Sequence, residues 1–273
     1  MSTTLRSCSL LITASIASFA FACSDGAGES NFEGKSGAGE TGSSKDDRST
    51  VSLVEAGESE DGGCAPALVG IVRDFQDTHP DFERQIDFDG RDPGIVAALL
   101  GVDHKPVYGP ATNTATTGGK ALFDEWYRDV PGVNIPIQFT VPLVQGPNGI
   151  ATYSNSNFFP IDNQGFGNQG RAHNYHFTFE LHTTFVYKGG EVFTFTGDDD
   201  LFAFVDGHLA LDLGGLHQPL TDTINLDAFA ATNGLVKGKT YPLDVFQAER
   251  KTVLSNFRID TSLEFNNCNP ILL

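Results

Sequence analysis

The sequence predicts an all-β fold, an antiparallel β-sandwich of jelly-roll type with one or two short helices. Three observations predict it. The aromatic residues are nearly all Phe, 22 against 6 Tyr and 1 Trp, and there is a single Met; Phe and β-branched residues suit a pleated, half-buried surface. Several stretches alternate apolar and polar residues with the period of two that a strand requires. Turn dipeptides stand between those stretches. With 273 residues, 40% of them hydrophobic, the chain can bury one substantial core and hardly two.

The first 22 residues read as a leader. Arg6 precedes an apolar run, Leu10 to Ala22, too short to span a bilayer as a mature helix. The run ends on Ala20-Phe21-Ala22 and then Cys23. Ordinary secretion is one reading of that site. Acylation of Cys23 as a bacterial lipoprotein anchor is the other, with Ala20 standing where such boxes carry Leu. Residues 23–63 are Gly, Ser, Glu and Asp with hardly an apolar side chain, a disordered acidic tether. A tether directly after Cys23 favours the lipid anchor, so the expectation is a cell-envelope protein of the outer membrane, with plain secretion as the alternative. Cys8 leaves with the leader. Cys64 and Cys268 bracket the remaining domain, residues 64–273, and in an oxidising compartment predict a disulfide joining its ends.

Within that domain Leu68 to Phe75 reads as an opening strand, broken by His79-Pro80-Asp81-Phe82. Helices are expected over Pro93–Leu100, with Asp92 as cap, and over Ala121–Asp129, where Leu122 and Trp126 share a face. After Pro131 strands dominate. Phe177, Phe179 and Leu181 alternate with His176, Thr178, Glu180 and His182. The polar stripe of that strand reads as a solvated sheet face rather than a transition-metal site. Lys188-Gly189-Gly190 turns the chain into Val192–Thr196, and Asp206-Gly207 joins Leu201–Val205 to His208–Leu213 as a hairpin. Tyr241–Gln247 and Asn256–Phe265 close the set.

Chemistry concentrates at Gly197-Asp198-Asp199-Asp200, directly after a strand. Adjacent carboxylates in a folded loop either splay into water or share a cation, and calcium, a hard ion with many oxygen ligands, is the natural guest. The net charge of −18 fits an exported, cation-holding protein and excludes a nucleic-acid partner, which needs a basic stripe.

The stretch from Thr194 to His217 (TFTGDDDLFAFVDGHLALDLGGLH) resembles the central motif of the fibro-slime domain. Phe158-Phe159-Pro160-Ile161-Asp162, His173 to Glu180, Ala248-Glu249-Arg250 with Ser255-Asn256-Phe257, and the opening Val72-Arg73-Asp74-Phe75 resemble it as well, over residues 68–265. That domain is similar to the protective-antigen-type β-sandwich of yeast flocculins and fungal adhesins. The resemblance implies that Asp198 and Asp199 hold Ca2+ through a cis-linked pair and that the ion meets vicinal sugar hydroxyls. Adhesins add an Asn from a later loop; Glu249 stands at about that place, with Arg250 beside it. The implied metal ligands are therefore Asp198, Asp199 and Glu249, and Asp200, His217 and Arg250 are expected near the ligand. His217 could equally be a structural His bonded to loop backbone, and Arg250 could pair with a carboxylate.

A calcium-dependent carbohydrate-binding or adhesion module follows as the expected function, with glycans or extracellular polysaccharide as partners and the membrane reached only through the anchor. A structural matrix component without sugar binding is the alternative. A glycoside hydrolase using Asp199 and Glu249 is the lesser one, since no acid/base pair stands out beyond the acidic loop.

Overall fold

The computed structural model describes residues 67–84 and 90–266. The expected leader, tether and anchor Cys23, and the pair Cys64 and Cys268, lie outside the described residues.

The architecture is an antiparallel β-sandwich. The first strands are β1 (Ala67–Phe75), β2 (Gly90–Arg91), β3 (Asn134–Pro142), β4 (Val144–Gln145) and β5 (Ala151–Asn155). The central ones are β6 (Phe177–Val186), β7 (Val192–Gly197), β8 (Asp200–Val205) and β9 (His208–Leu213). They are followed by β10 (Gly215–Leu216), β11 (Leu220–Asn225), β12 (Thr240–Glu249) and β13 (Phe257–Thr261). One sheet has the order β3-β1-β6-β12-β8-β9, the other β11-β7-β13-β5-β4, and β10 pairs with β2 alone. Every pairing is antiparallel, for instance Val72 opposite Phe179 and Val245 opposite both Leu181 and Ala203.

Alternation decides which residues enter the space between the sheets. Phe177, Phe179, Leu181 and Phe185 of β6 meet Phe193 and Phe195 of β7 and Phe257 and Ile259 of β13 there. Phe158 stacks on Phe257 with ring centroids 4.6 Å apart, and Phe179 and Phe195 approach Phe257 edge-on. This explains the excess of Phe.

A second core lies on the opposite face of the six-stranded sheet. Phe202, Phe204, Phe246 and Ala248 pack there against Ile95, Tyr108, Phe123, Trp126 and Tyr127. Strand β8 is consequently buried at every position, and its run Leu-Phe-Ala-Phe-Val is the unalternating pattern of a strand covered on both faces. The covering layer is the segment between β2 and β3.

Both helix expectations in that layer need correction. Residues 93–100 are not helical. Val96 bridges Tyr108, Leu99 bridges His208, and Leu100 donates its N–H to the Gly207 carbonyl. The Asp92 carboxylate accepts from the N–H and hydroxyl of Thr116 instead of capping a helix. In the second case only α1 (Lys120–Phe123) is helical; turns follow it, and they still bury Phe123, Trp126 and Tyr127 in the second core. A helix that the patterning did not predict is α2 (Leu226–Asn233). The Asn225 side chain accepts from the Ala228 N–H at its start, and Gly234, at φ 78°, ends it.

The polar stripe on β6 is buried, not solvated, because the covering layer lies over it. The Thr178 hydroxyl donates to the Trp126 carbonyl at 2.5 Å. His176 meets Glu83 at 3.2 Å, and His182 meets Asp244 at 2.7 Å. Glu180 sits between Arg73 at 3.1 Å and Lys105 at 2.5 Å. Burial alone would raise the Glu180 carboxyl, but His182, Arg73 and Lys105 together hold it down to about 2.

Two consequences are testable. Truncating Phe257→Ala should cost about 3–5 kcal/mol in urea denaturation, since four rings lose a neighbour at once. Glu180→Gln removes the carboxylate shared by two buried cations, while Arg73 keeps Asp129, and should cost roughly 3–5 kcal/mol near neutral pH. The stability that an acid of lowered pKa contributes is present above its unfolded value and lost below it. The gap between wild type and Glu180→Gln should therefore close as the pH falls from 4.5 to about 2. A constant gap across that window would contradict the ion-pair assignment.

Candidate functional site

Strand β7 ends at Gly197 because the chain must pass close to the Asn256 carbonyl; a Cβ on Gly197 would lie 2.4 Å from that oxygen. The next peptide bond, Asp198–Asp199, is cis. The three carboxylates that follow one another here then take different surroundings.

Asp198 accepts from the Asn256 main-chain N–H at 2.6 Å and from its side-chain amide at 2.9 Å. Burial nevertheless raises its carboxyl above the ordinary value. Asp199 accepts from the Arg250 main-chain N–H at 3.2 Å. Burial pushes it well up, against the pull of Arg250 and with the repulsion of Asp200 and Asp198 added. Asp200 turns inward. It accepts from Arg250 Nε at 2.6 Å and from the Gly215 N–H at 2.7 Å.

Glu249, the last residue of β12, is fully buried, and neither of its carboxylate oxygens has a hydrogen-bond partner among the described residues. The Ser255 hydroxyl and Lys251 N–H favour its charged form without hydrogen-bonding geometry to it. Burial raises Glu249 well above its usual range, and the charges of Asp199 and Asp198 raise it further. Two orphaned buried oxygens beside two aspartates are a chemical setting that a hard cation would satisfy. Among the described residues, no group of three or more His, Cys, Asp and Glu is gathered as a ready metal cage. Any ion here would draw on main-chain or ligand oxygens as well.

Asp198 and Asp199 open onto a cavity of about 220 Å³. The β10–β11 connection contributes Leu216, His217 and Gln218 to its wall, and the loop after β12 contributes Lys251 to Leu254. Both ring nitrogens of His217 face main-chain carbonyls, Leu213 O at 3.0 Å and Gln218 O at 2.9 Å. His217 therefore lines the cavity as a brace of its own loop.

The expectation that Asp200 and Arg250 meet the ligand is corrected. Both are fully buried and neither lines the cavity. The Arg250 guanidinium lies 4.6 Å from the Trp126 ring centre and donates to the carbonyls of Asp81 at 3.2 Å and Thr116 at 2.8 Å. Partners for its charge and donors lie inside, and burial of a guanidinium requires them. Glu249 likewise does not line the cavity but stands behind the aspartates. Asn256, which clamps Asp198, is the residue that the site expectation missed. It lies within the Ser255-Asn256-Phe257 motif, and a lone Asn has no spacing signal of its own. Lys251 and the exposed Val253 and Leu254 were also missed, for exposure of a loop residue cannot be read from its type.

Residues 140–271 match the PA14 domain family. The chain is 41% identical over 204 residues to protein psiR of Dictyostelium discoideum, in an alignment covering 68% of this chain and 20% of that protein. It is 36% identical over 227 residues to protein psiD of the same organism, covering 78% of this chain and 44% of psiD. The chain thus spans less than half the length of these relatives. Among solved structures, a β-glucosidase from Kluyveromyces marxianus in complex with glucose aligns with a TM-score of 0.23 at 15% identity, over 32% of this chain and 10% of that one. A likeness that low carries no argument. The matched segment takes in β4 to β13 of the antiparallel β-sandwich, the acidic loop among them.

Proposed function

We propose that the cavity beside Asp198 and Asp199 binds carbohydrate with the help of one calcium ion, and that the domain serves adhesion outside the cell. The observation that carries the reading is the opening of two buried, consecutive aspartates onto a cavity with the unpartnered Glu249 carboxylate behind them. Asp198 and Asp199 would hold the ion directly, and Glu249 would balance its charge from within. The ion would supply an acceptor for vicinal sugar hydroxyls, while exposed Val253 and Leu254 offer apolar contact to the carbon face of a pyranose.

Export belongs to the same proposal. A leader ending at Ala22, acylation of Cys23 and a Cys64–Cys268 disulfide would place the domain outside a membrane on a tether. The mass of the mature N-terminus and a non-reducing peptide map test these directly.

A second reading is favoured by the raised carboxyls themselves. Burial raises both Asp199 and Glu249, which lessens the need for a cation, and the domain would then be a matrix component that needs neither calcium nor sugar.

Calorimetry and thermal unfolding separate the two. Calcium at a hundred times its dissociation constant should raise stability by roughly 2.7 kcal/mol, and chelation should reverse it. Asp199→Asn should weaken calcium binding at least tenfold while the fold persists. The control is Asp222→Asn, an exposed acid on β11 away from the cavity. Glu249→Gln removes a carboxyl whose raised pKa costs stability above its ordinary value, so it should stabilise the calcium-free protein near neutral pH and shrink the gain from calcium. Absence of calcium binding, or equal behaviour of Asp199→Asn and Asp222→Asn, would establish the matrix reading.

A further inference from the structure

The cavity has one strongly basic side chain among the described residues that line it, Lys251. Like Arg91, Lys237 and Lys239 it makes no salt bridge among the described residues, but of these it alone lines the cavity. The described cations of the interior are matched: Arg250 to Asp200, Arg73 and Lys105 to Glu180. The exposed ones Lys120, Arg128 and Arg258 also have a carboxylate at hydrogen-bonding distance. Lys251 has no ion pair among the described residues, although it borders the same cavity as Asp198 and Asp199.

The reason lies in how those aspartates are held. Asp198 is turned toward Asn256 by two hydrogen bonds, and Asp199 toward the Arg250 main chain. His217 offers the cavity no free nitrogen, since both face main-chain carbonyls. The cavity is therefore lined both by the two aspartates and by the half-buried Lys251, with no ion pair between them among the described residues. A neutral ligand closing over that ammonium would strip its water and give no charge in return. A ligand with one carboxylate would replace the lost hydration by an ion pair. In a chain of net charge −18, an anion has little other reason to approach.

We propose that Lys251 selects the ligand class of this site, and that the site takes carboxylated sugars, the hexuronic acids, in preference to neutral ones. The proposal rests on the carbohydrate reading above. The sugar carboxylate would meet the Lys251 ammonium while its hydroxyls face the Asp198–Asp199 end. Ammonium and carboxylate are both charged beforehand, so binding transfers no proton and forms no covalent bond.

The test uses the full chain with calcium present, titrated with trigalacturonate and with its fully methyl-esterified form, which keeps the shape and removes the charges. The wild type should bind the acid about tenfold more tightly than the ester, the size expected of a half-buried charge pair. Raising the salt should reduce that ratio. Lys251→Ala and Lys251→Gln, the second keeping most of the stem, should bring the ratio to about one with little change in affinity for the ester. Lys251→Arg should restore most of the preference. A preference for acid that calcium alone produces would survive in both Lys251→Ala and Lys251→Gln, and that result overturns the proposal while leaving the carbohydrate reading intact. Equal binding of acid and ester by the wild type overturns it in the same way. Failure of either sugar to bind, with neutral oligosaccharides also silent, sinks the carbohydrate reading and the proposal with it.

Discussion

The structure around the site depends on one buried ion pair, Arg250 with Asp200. Neither side chain has any exposure, and the guanidinium reaches three separate stretches of chain. It holds the start of β8 through Asp200, the breaker after β1 through the Asp81 carbonyl, and the covering layer through Thr116. Trp126 covers its face. A guanidinium suits this place because its donors form a fixed planar fork and it keeps its charge when buried. The pair also settles the electrostatics of its neighbours. One cation among four closely spaced acids pairs directly with Asp200 alone, and burial raises even that carboxyl. Asp198, Asp199 and Glu249 are left with raised carboxyls and an incomplete set of partners.

The two cores serve that arrangement. The Phe-rich interior between the sheets fixes the relation of β7 and β13 to β6, and hence brings Asn256 against Asp198. The second core holds the covering layer down on β8 and β12, which is where Arg250 finds its carbonyls. The acidic loop thus leads into β8 and the loop of the cavity wall leaves β12, two strands that are covered on both faces at these ends. A loop so supported can keep carboxylates close together at little cost in ordering entropy.

Much of the sandwich was legible in the sequence because period-two alternation is a local signal. Strands β1, β6, β7, β8, β9 and β12 fall where alternation, apolar runs and the Asp206-Gly207 turn place them. The covering layer was not legible. Residues 93–100 have helical composition, yet the exposed edge of β9 offers hydrogen bonds that the segment takes instead, a long-range competition with no trace in local spacing. The same blindness made His176, Glu180 and His182 read as solvated, since polarity on an alternating strand ordinarily means water. At the site, the aspartate cluster was visible as a dense local motif. The inward turn of Asp200 and Arg250 was not, because it depends on Thr116 and Asp81, more than a hundred residues away in sequence.

Strand order carries a last consequence, for what counts as one folding unit. The segment that matches the PA14 family begins at residue 140, but β1 lies between β3 and β6 in the large sheet, and the layer that covers Phe202 and Phe246 precedes residue 140 entirely. A chain cut at that boundary would leave β6 as a bare edge, uncover a whole apolar face and deprive Arg250 of both carbonyl partners. Family boundary and cooperative boundary therefore do not coincide in this protein. The family match marks the part that carries the acidic loop, whereas the physics of burial makes the preceding seventy residues inseparable from it.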